Sequence, residues 1–212
     1  MKRCFFVDFD GTITLRDTCY TMVATYCRPG WKELNQQWER GEIGTTECAR
    51  RTFALMDVEY DELLRFLSAV PIDPHFKDFV DLVEINNDSL YILSDGYDTN
   101  INTILGLNNL GHLPYYSNKL LCSNNNYDIE SPNHNPECGK CGTCKTTLVQ
   151  KLTSPGCMTV YIGDGYSDRC AAKETDIVFA TSSLLRFCRE NDIPATEFHG
   201  FQDIIDWLKN NS

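Results

Sequence analysis

Residues 3–12, RCFFVDFDGT, decide the fold, because a short apolar run leads directly into two aspartates, a glycine and a threonine. A run that is apolar on both faces is typical of a parallel strand buried inside an α/β protein. Polar side chains that follow such a strand lie at its carboxyl end, where open α/β sheets carry their binding sites. The segment predicts a strand over residues 3–8, with Asp8 and Asp10 at candidate active-site positions.

Three further apolar runs predict strands of the same sheet. They are residues 90–94 (LYILS), 158–163 (MTVYIG) and 176–180 (DIVFA). Segments with helical periodicity lie between them, at residues 99–107, 145–152 and 184–190. Strands that alternate with helices indicate a doubly wound, Rossmann-like parallel sheet of the α/β class.

Residues 15–87 have a different character, with helical periodicity and no strand pattern. Helices are expected around residues 20–26, 32–40, 46–56 and 61–67. We therefore expect an all-helical domain over 15–87, inserted into an α/β domain made of residues 1–14 and 88–212. A second excursion, residues 115–131, has two extended pieces about three consecutive asparagines, which predicts a small β-hairpin.

Composition and charge restrict the classes of molecule that the chain is expected to bind. It has 212 residues, 42% of them hydrophobic and 23% charged, which is typical of a globular protein, and a formal net charge of -11. Such a surface repels nucleic acid and anionic lipid, so neither is expected as a partner. The first apolar run is too short for a secretory signal, so we expect a cytoplasmic protein. The oligomeric state, monomer or homodimer, stays open.

Two more predicted strand ends carry polar side chains. Ser94, Asp95 and Gly96 follow the second strand, and Asp164 and Asp168 lie in the segment GDGYSD after the third. Acids gathered at one edge of a sheet repel one another unless a cation neutralises them. Carboxylate oxygens are hard ligands, so we expect Mg²⁺ at this edge.

Lys145 begins a predicted helix, where its ammonium group and nearby backbone N–H groups could hold a phosphate oxygen. The order of the first two aspartates, Ser94, Lys145 and the acids of residues 163–168 resembles the haloacid dehalogenase superfamily of phosphatases. The resemblance implies that Asp8 is a nucleophile that forms an aspartyl-phosphate, and that Asp10 is the general acid and base. A carboxylate attacks a phosphate dianion only where positive charge offsets their repulsion, which a metal ion and a lysine supply.

The resemblance also implies roles for the remaining residues of the site. Phosphate binding is expected from Thr12, Ser94, Asp95, Gly96 and Lys145. Magnesium binding is expected from Asp8, the backbone carbonyl of Asp10, Asp164 and Asp168, the last either as a ligand or by orienting the ligands. The substrate expected is a small phosphorylated metabolite.

Other features indicate a branch of this superfamily. A helical insertion between the first and second motifs resembles the cap of phosphoserine-phosphatase-like enzymes, which closes over the substrate. Residues 138–145 (CGKCGTCK) and 179–190 (FATSSLLRFCRE) resemble the MtnX-type enolphosphatases of methionine salvage. Asp95 departs from the glycine expected at that position, and Gly165 with Tyr166 also departs. An inward-facing Asp95 carboxylate would disfavour an anionic substrate.

Phosphoserine or another small phosphomonoester is the alternative substrate. It requires a carboxylate and an arginine in the cap, which Asp17 with Arg50 or Arg51 could supply. An alternative of another class is a non-catalytic cysteine-rich module that binds metal or responds to redox state. The complete set of acids, serine and lysine favours the enzyme, because a silent scaffold would be free to lose them.

Eleven cysteines form the basis of that last alternative. Cys138, Cys141 and Cys144 have spacing that suits metal ligation, with His134 upstream and Cys122 as a further candidate ligand, so structural Zn²⁺ is one hypothesis. A second is a redox switch, because oxidation here would displace the neighbouring lysine. A third is a loop of reduced thiols with no metal.

Overall fold

A computed structural model describes residues 2–137 and 139–211. Its strands are β1 Arg3–Val7, β2 Ser89–Tyr97, β3 Tyr115–Ser123, β4 Asn126–Glu130, β5 Met158–Gly163, β6 Ile177–Ala180 and β7 Thr196–Glu197. They form one seven-stranded sheet in the order β4-β3-β2-β1-β5-β6-β7, and within the described ranges only the β3–β4 pair is antiparallel. The predicted doubly wound α/β sheet is confirmed.

The helices that connect these strands are α1 Thr18–Tyr26, α2 Trp31–Glu39, α3 Thr45–Phe53, α4 Tyr60–Ser68, α5 Phe76–Ile85, α6 Asp98–Leu107, α7 Lys145–Leu152, α8 Arg169–Ala172, α9 Ser182–Glu190 and α10 Phe201–Asn210. In the described ranges no helix is long and apolar enough to cross a membrane.

The first strand is apolar on both faces because helices cover both sides of it. Phe5 and Val7 belong to a core cluster with side chains of α5, α6 and α10, whereas Phe6 packs with side chains of α7, α8 and α9. All five residues of β1 are buried. Because each buried Phe side chain contributes about 1.5–3 kcal/mol, this strand anchors the sheet.

Helices α1, α3 and α4 share a separate core that also includes Leu120 and Ile129 of the hairpin, and α2 is joined to α3 by the bond from Trp38 Nε1 to Thr45 Oγ1 at 3.0 Å. Helix α5 lies in the predicted insertion but packs on the sheet, where Phe79 contacts Phe5 with ring centroids 5.3 Å apart. We propose that the cap consists of α1–α4 and that the insertion ends before Phe76, short of the boundary at residue 87.

The predicted hairpin is confirmed as β3 and β4, joined by Asn124 and Asn125. Both asparagines have left-handed φ angles, 48° and 59°. A two-residue loop of this kind matches the twist of its flanking strands, and asparagine tolerates the left-handed conformation better than most residues.

The site lies where the direction of the sheet changes. After β1 the chain builds β2 and β3 on one side, then returns to the other side of β1 with β5. In the register, Val7 pairs with both Ile92 and Ile162. The carboxyl ends of three strands therefore meet at one edge, at the topological switch point.

Candidate active site

Asp8 follows β1 and is only 4% exposed. Lys145, the first residue of α7, donates from Nζ to Asp8 Oδ1 at 2.5 Å and to Asp168 Oδ1 at 2.6 Å. Burial lowers the pKa of Lys145, but the carboxylates of Asp168 and Asp8 raise it by more, so this pKa lies well above its usual value. The lysine therefore remains an ammonium ion that offsets part of the negative charge of the acids.

Asp168 is fully buried, and its side chain is saturated with hydrogen bonds. Tyr161 donates its hydroxyl to Asp168 Oδ1 at 2.6 Å, in addition to the bond from Lys145. The backbone N–H groups of Asp164 and Gly165 donate to Oδ2 at 3.1 and 2.8 Å. With four donors on its two carboxylate oxygens, Asp168 is suited to orienting the lysine and the 163–165 turn.

The donor set fits Mg²⁺. Asp8, Asp164 and Asp168 offer carboxylate oxygens that lie within 4.8 Å of one another, and a hard divalent cation binds such oxygens. Burial, with the neighbouring Asp168, raises the pKa of Asp164 to about 7. Gly11 has a φ of +80°, and a Cβ there would lie 2.8 Å from Asp164 Oδ2, so this glycine leaves room for the carboxylate. A bound cation would relieve the repulsion among the three acids.

Asp10 turns its carboxylate away from this cluster. The backbone N–H of Thr18 donates to Oδ1 at 3.0 Å, the Thr18 hydroxyl also donates to Oδ1, and Asn100 Nδ2 donates to that hydroxyl at 2.9 Å. The Ser94 hydroxyl lies 3.4 Å from Oδ2 and Cys19 Sγ lies 3.7 Å from it. Burial raises the pKa of Asp10, and the hydrogen bonds from Thr18 lower it by less, so the pKa is raised overall. With Oδ1 held by two donors, Oδ2 is the oxygen suited to carry a proton.

Thr18 and Asn100 were missed by the sequence analysis. Thr18 lies eight residues beyond Asp10, and Asn100 lies in the first turn of α6. Asn100 lies on the apolar face of α6, beside Ile101 and Ile104, and it is the polar side chain of this helix that is completely buried. A buried polar position on a predicted helix is the signal that could have identified it.

The carboxyl-terminal part of β2 contains Ser94 and Gly96, so this strand extends three residues beyond the predicted end at residue 94. Ser94 is fully buried and accepts the N–H of Gly96 at 2.9 Å. A Cβ at Gly96 would lie 2.4 Å from Asp10 Oδ2, so only glycine fits beside the acid. Thr12 lies elsewhere: its hydroxyl is 3.5 Å from Asp164 Oδ1, and it is not among the described residues that line the cavity.

Asp95 does not present a free carboxylate to an anionic substrate. Thr45 Oγ1 donates to Oδ2 at 2.8 Å, while the Thr143 backbone N–H and Asn118 Nδ2 donate to Oδ1 at 2.8 and 3.1 Å. These donors come from the cap, from the loop before α7 and from the hairpin. Asp95 therefore ties three segments together, which accounts for an acid where the resemblance implied glycine.

A cavity of about 310 Å³ separates this edge of the sheet from the cap. We call the cap residues on its far side the cap wall: Tyr20, Val23, Trp31, Asn35, Trp38, Glu39, Thr45, Cys48, Ala49 and Thr52. Three of them are large aromatic side chains. The cap wall thus offers mostly apolar surface with a few polar groups, which is typical of a small-molecule site.

The predicted specificity residues divide between the cavity and the outside. Asp17 lines the cavity and caps α1 by accepting the N–H of Tyr20 at 2.7 Å. Arg50 instead pairs with Asp128 at 2.9 Å, and Arg51 pairs with Glu47 at 3.2 Å, all on exposed surface. Neither arginine lines the cavity, so the geometry of the described residues does not support their expected contact with substrate.

The predicted zinc site also lacks support. Cys138 lies outside the described residues. His134 Nδ1 lies 3.0 Å from the backbone oxygen of Cys141, and Cys144 Sγ lies 3.2 Å from the hydroxyl of Thr147. In residues 2–137 and 139–211, no cluster of potential metal ligands includes these side chains or Cys122.

Comparisons with known proteins agree with this fold. No protein-family model matches the chain. A 2-hydroxy-3-keto-5-methylthiopentenyl-1-phosphate phosphatase of Bacillus cytotoxicus is 31% identical over 221 residues, covering 99% of this chain and 97% of the relative. The Bacillus cereus protein of the same name is 32% identical over 212 residues, covering 96% and 94%.

Among solved structures, a substrate-bound phosphoserine phosphatase complex superposes with a TM-score of 0.74 at 16% identity, covering 98% of both chains. A phospho-aspartyl intermediate analogue of phosphoserine phosphatase gives a TM-score of 0.74 at 17% identity, covering 97% of this chain and 98% of that one. At such low identity these structures establish the fold alone.

Proposed function

This chain belongs to the phosphatase family of the 2-hydroxy-3-keto-5-methylthiopentenyl-1-phosphate phosphatases, and we propose that it hydrolyses a small phosphate ester with an uncharged, partly apolar tail. The family lies in the haloacid dehalogenase superfamily. The observation that carries the proposal is that Asp8, Asp10 and Asp164 face an aromatic cap wall across one cavity, and that Lys145, outside the cavity lining, donates to Asp8. The residue roles below are part of the proposal.

In the first step, Asp8 attacks the phosphorus atom and the bond to the ester oxygen breaks, which leaves an aspartyl-phosphate. Asp8 Oδ1 is held by Lys145, so Oδ2 is the oxygen free to attack. The Ser94 hydroxyl lies beside Asp10 and would contact a phosphoryl oxygen, while the Gly96 N–H donates to Ser94 Oγ and holds that hydroxyl in position. Alignment and charge neutralisation are what phosphoryl transfer requires of a protein.

Asp10 acts as acid and then as base. Its Oδ2 gives a proton to the leaving ester oxygen, and in the second step it takes a proton from the water that attacks the aspartyl-phosphate. Proton transfer of this kind contributes about 10²–10⁴-fold to a rate. The raised pKa of Asp10, caused by burial, favours the protonated form that the first step needs.

Magnesium would be held by Asp8, Asp164 and the backbone carbonyl of Asp10, with Asp168 orienting the lysine and the turn. When bound, the ion neutralises charge on the phosphoryl oxygens.

The tail of the substrate would lie against the cap wall. A methylthio group and neutral keto and hydroxyl oxygens, as in the substrate named for the relatives, suit aromatic and hydroxyl side chains. Phosphoserine, the alternative, carries a carboxylate that needs a cation. No lysine or arginine is among the described residues that line the cavity. This absence favours the uncharged tail.

The test is release of inorganic phosphate from a panel that includes the methylthiopentenyl ester, phosphoserine and glycerol phosphate. We expect release with Mg²⁺, none with EDTA, and the highest kcat/KM for the methylthiopentenyl ester. Preference for phosphoserine would contradict the uncharged tail and leave the reaction itself intact. No release from any ester by folded protein would contradict the whole proposal.

A further inference from the structure

We propose that the protein has a second anion-binding site, which lies beside the catalytic cavity and takes a phosphate group among Lys140, Arg169 and Lys173. These side chains line a cavity of about 290 Å³ that is bounded by the cap, the loop before α7 and the outer face of α8 and α9. Trp38 and Tyr166 line both this cavity and the catalytic one. The inference goes beyond the proposed function, because it does not depend on the identity of the ester.

The positive charge of this cavity is unpaired. The chain has 30 acidic and 19 basic residues, so most cations could find an acidic partner. None of the three, however, makes an ion pair with any residue in the described ranges. The carboxylate that lines this cavity belongs to Asp95, and its oxygens already accept bonds from Thr45, Asn118 and Thr143. The cavity is therefore a positive region on a strongly acidic protein.

Arg169 is held in a fixed orientation. Its guanidinium carbon lies 4.6 Å from the ring centroid of Tyr166 and 4.9 Å from that of Phe187, and Lys173 Nζ lies 5.2 Å from the Phe187 centroid. Arg169 Nε is buried and has no hydrogen-bond partner among the described residues. Because Nε is shielded from solvent, a ligand in this cavity would meet the terminal nitrogens of the guanidinium.

A phosphate group is the ligand that these side chains suit. A planar guanidinium fixed by stacking presents several donors to a tetrahedral anion, and two lysines add charge from flexible side chains. The two cavities share lining residues: Trp38 and Tyr166, with ring centroids 5.2 Å apart, and Thr45, Asp95 and Ser167. A phosphate held here is thus next to the reaction, either as part of an arriving ester or as the released ion.

The test begins by filling the catalytic site. Full-length protein is loaded with Mg²⁺ and beryllofluoride, which mimics the phosphoryl group on Asp8, and is then titrated with inorganic phosphate in a calorimeter. Glycerol 2-phosphate is titrated in a separate arm. We expect saturable binding by wild type and at least about tenfold weaker binding by the K140Q/R169Q/K173Q variant, because charge-assisted bonds are lost.

The control variant is K2Q/K151Q/K209Q, which removes the same charge from exposed positions outside the cavity and should bind like wild type. If the cavity variant does not fold, Lys173→Gln alone, at an exposed position, should bind about threefold more weakly. Absence of binding by wild type, or equal binding by the cavity variant, overturns the proposal. Binding of inorganic phosphate alone would identify a product site, and binding of the ester as well would identify a site that collects substrate.

Failure of the proposed function is distinguishable in the same experiment. Fluorine NMR reports whether beryllofluoride is captured, and absence of capture would contradict the role of Asp8 and not the second site. In that case the number of phosphate ions bound per chain shows whether the second site exists. The cavity variant should bind one fewer than wild type, and an equal number would overturn the proposal.

Discussion

The edge of the sheet and the cap wall face each other across one cavity, yet they are built in opposite ways. The carboxylate site, which we define as Asp8, Asp10, Lys145, Asp164 and Asp168, consists of charged groups whose positions are set by hydrogen bonds from neighbouring residues. The cap wall is mostly aromatic and apolar, and no lysine or arginine belongs to it among the described residues. The difference supports the proposal that the sheet edge carries the reaction and the cap selects the substrate.

The strongest test of this division is Asp8→Asn. Loss of the nucleophile should lower kcat by about 10⁴-fold or more for every ester, as removal of a catalytic nucleophile does elsewhere. Affinity for the ester should change little, because the cap wall is untouched. Phosphate release measured with Mg²⁺, beside the thermal unfolding midpoint, checks both parts. A variant that keeps substantial activity would move the reaction away from the carboxylate site.

Thr18→Val should have the next largest effect. Thr18 contacts Asp10 and would act only by orienting that carboxylate, so its removal should lower kcat by about 10²-fold, typical of misplacing a reacting group by 1 Å. Thr18→Ser keeps the hydroxyl and should restore most of the rate. The ratio of kcat between the two variants, with KM measured for each, is the readout. An equal loss in Thr18→Ser would mean that packing, not the hydrogen bond, is responsible.

Trp31→Leu should affect choice of substrate and not the reaction. Trp31 lies in the cap wall and contacts Tyr20 with ring centroids 5.3 Å apart. Loss of its surface should raise KM for an ester with an apolar tail by about 10-fold, the lower end of what one hydrophobic contact contributes to specificity. KM for glycerol phosphate and kcat for both esters should stay near wild type. A fall in kcat for both esters would contradict the assignment of the reaction to the sheet edge and of substrate selection to the cap.

The features that the sequence predicted are local ones. A buried strand followed by acids is visible within ten residues, as at residues 3–12, and four apolar runs, three of them followed by an acid, are enough to identify the sheet. Helix α5 is absent from the helices that the sequence analysis predicts within residues 15–87. Its buried side chains nevertheless have helical spacing: Phe76, Phe79, Val80 and Val83. That α5 packs on the sheet depends on contacts with Phe5 and Phe201, far away in sequence.

The site shows the same limit. Its acids follow strands and were found by position, whereas the bond from Asn100 to Thr18 spans 82 residues and the bond from Thr45 to Asp95 spans 50. Whether Asp95 faces the substrate is decided by Thr45, Asn118 and Thr143, which come from three separate segments. No local pattern carries that information.

Arg50→Gln should have the smallest effect and gives the sharpest test of the alternative substrate. Arg50 lies on α3, one residue from Ala49 of the cap wall, but its side chain pairs with Asp128 at 2.9 Å on exposed surface. An exposed ion pair contributes about 0.2–1 kcal/mol, so the unfolding midpoint should fall only slightly. KM for phosphoserine and for the methylthiopentenyl ester should each change by less than about twofold, since surface substitutions away from a site have little effect. Asp128→Asn removes the same pair from the hairpin and should match it. A tenfold rise in KM for phosphoserine alone, in Arg50→Gln and not in Asp128→Asn, would place a cation in the cap wall after all and make phosphoserine the better substrate.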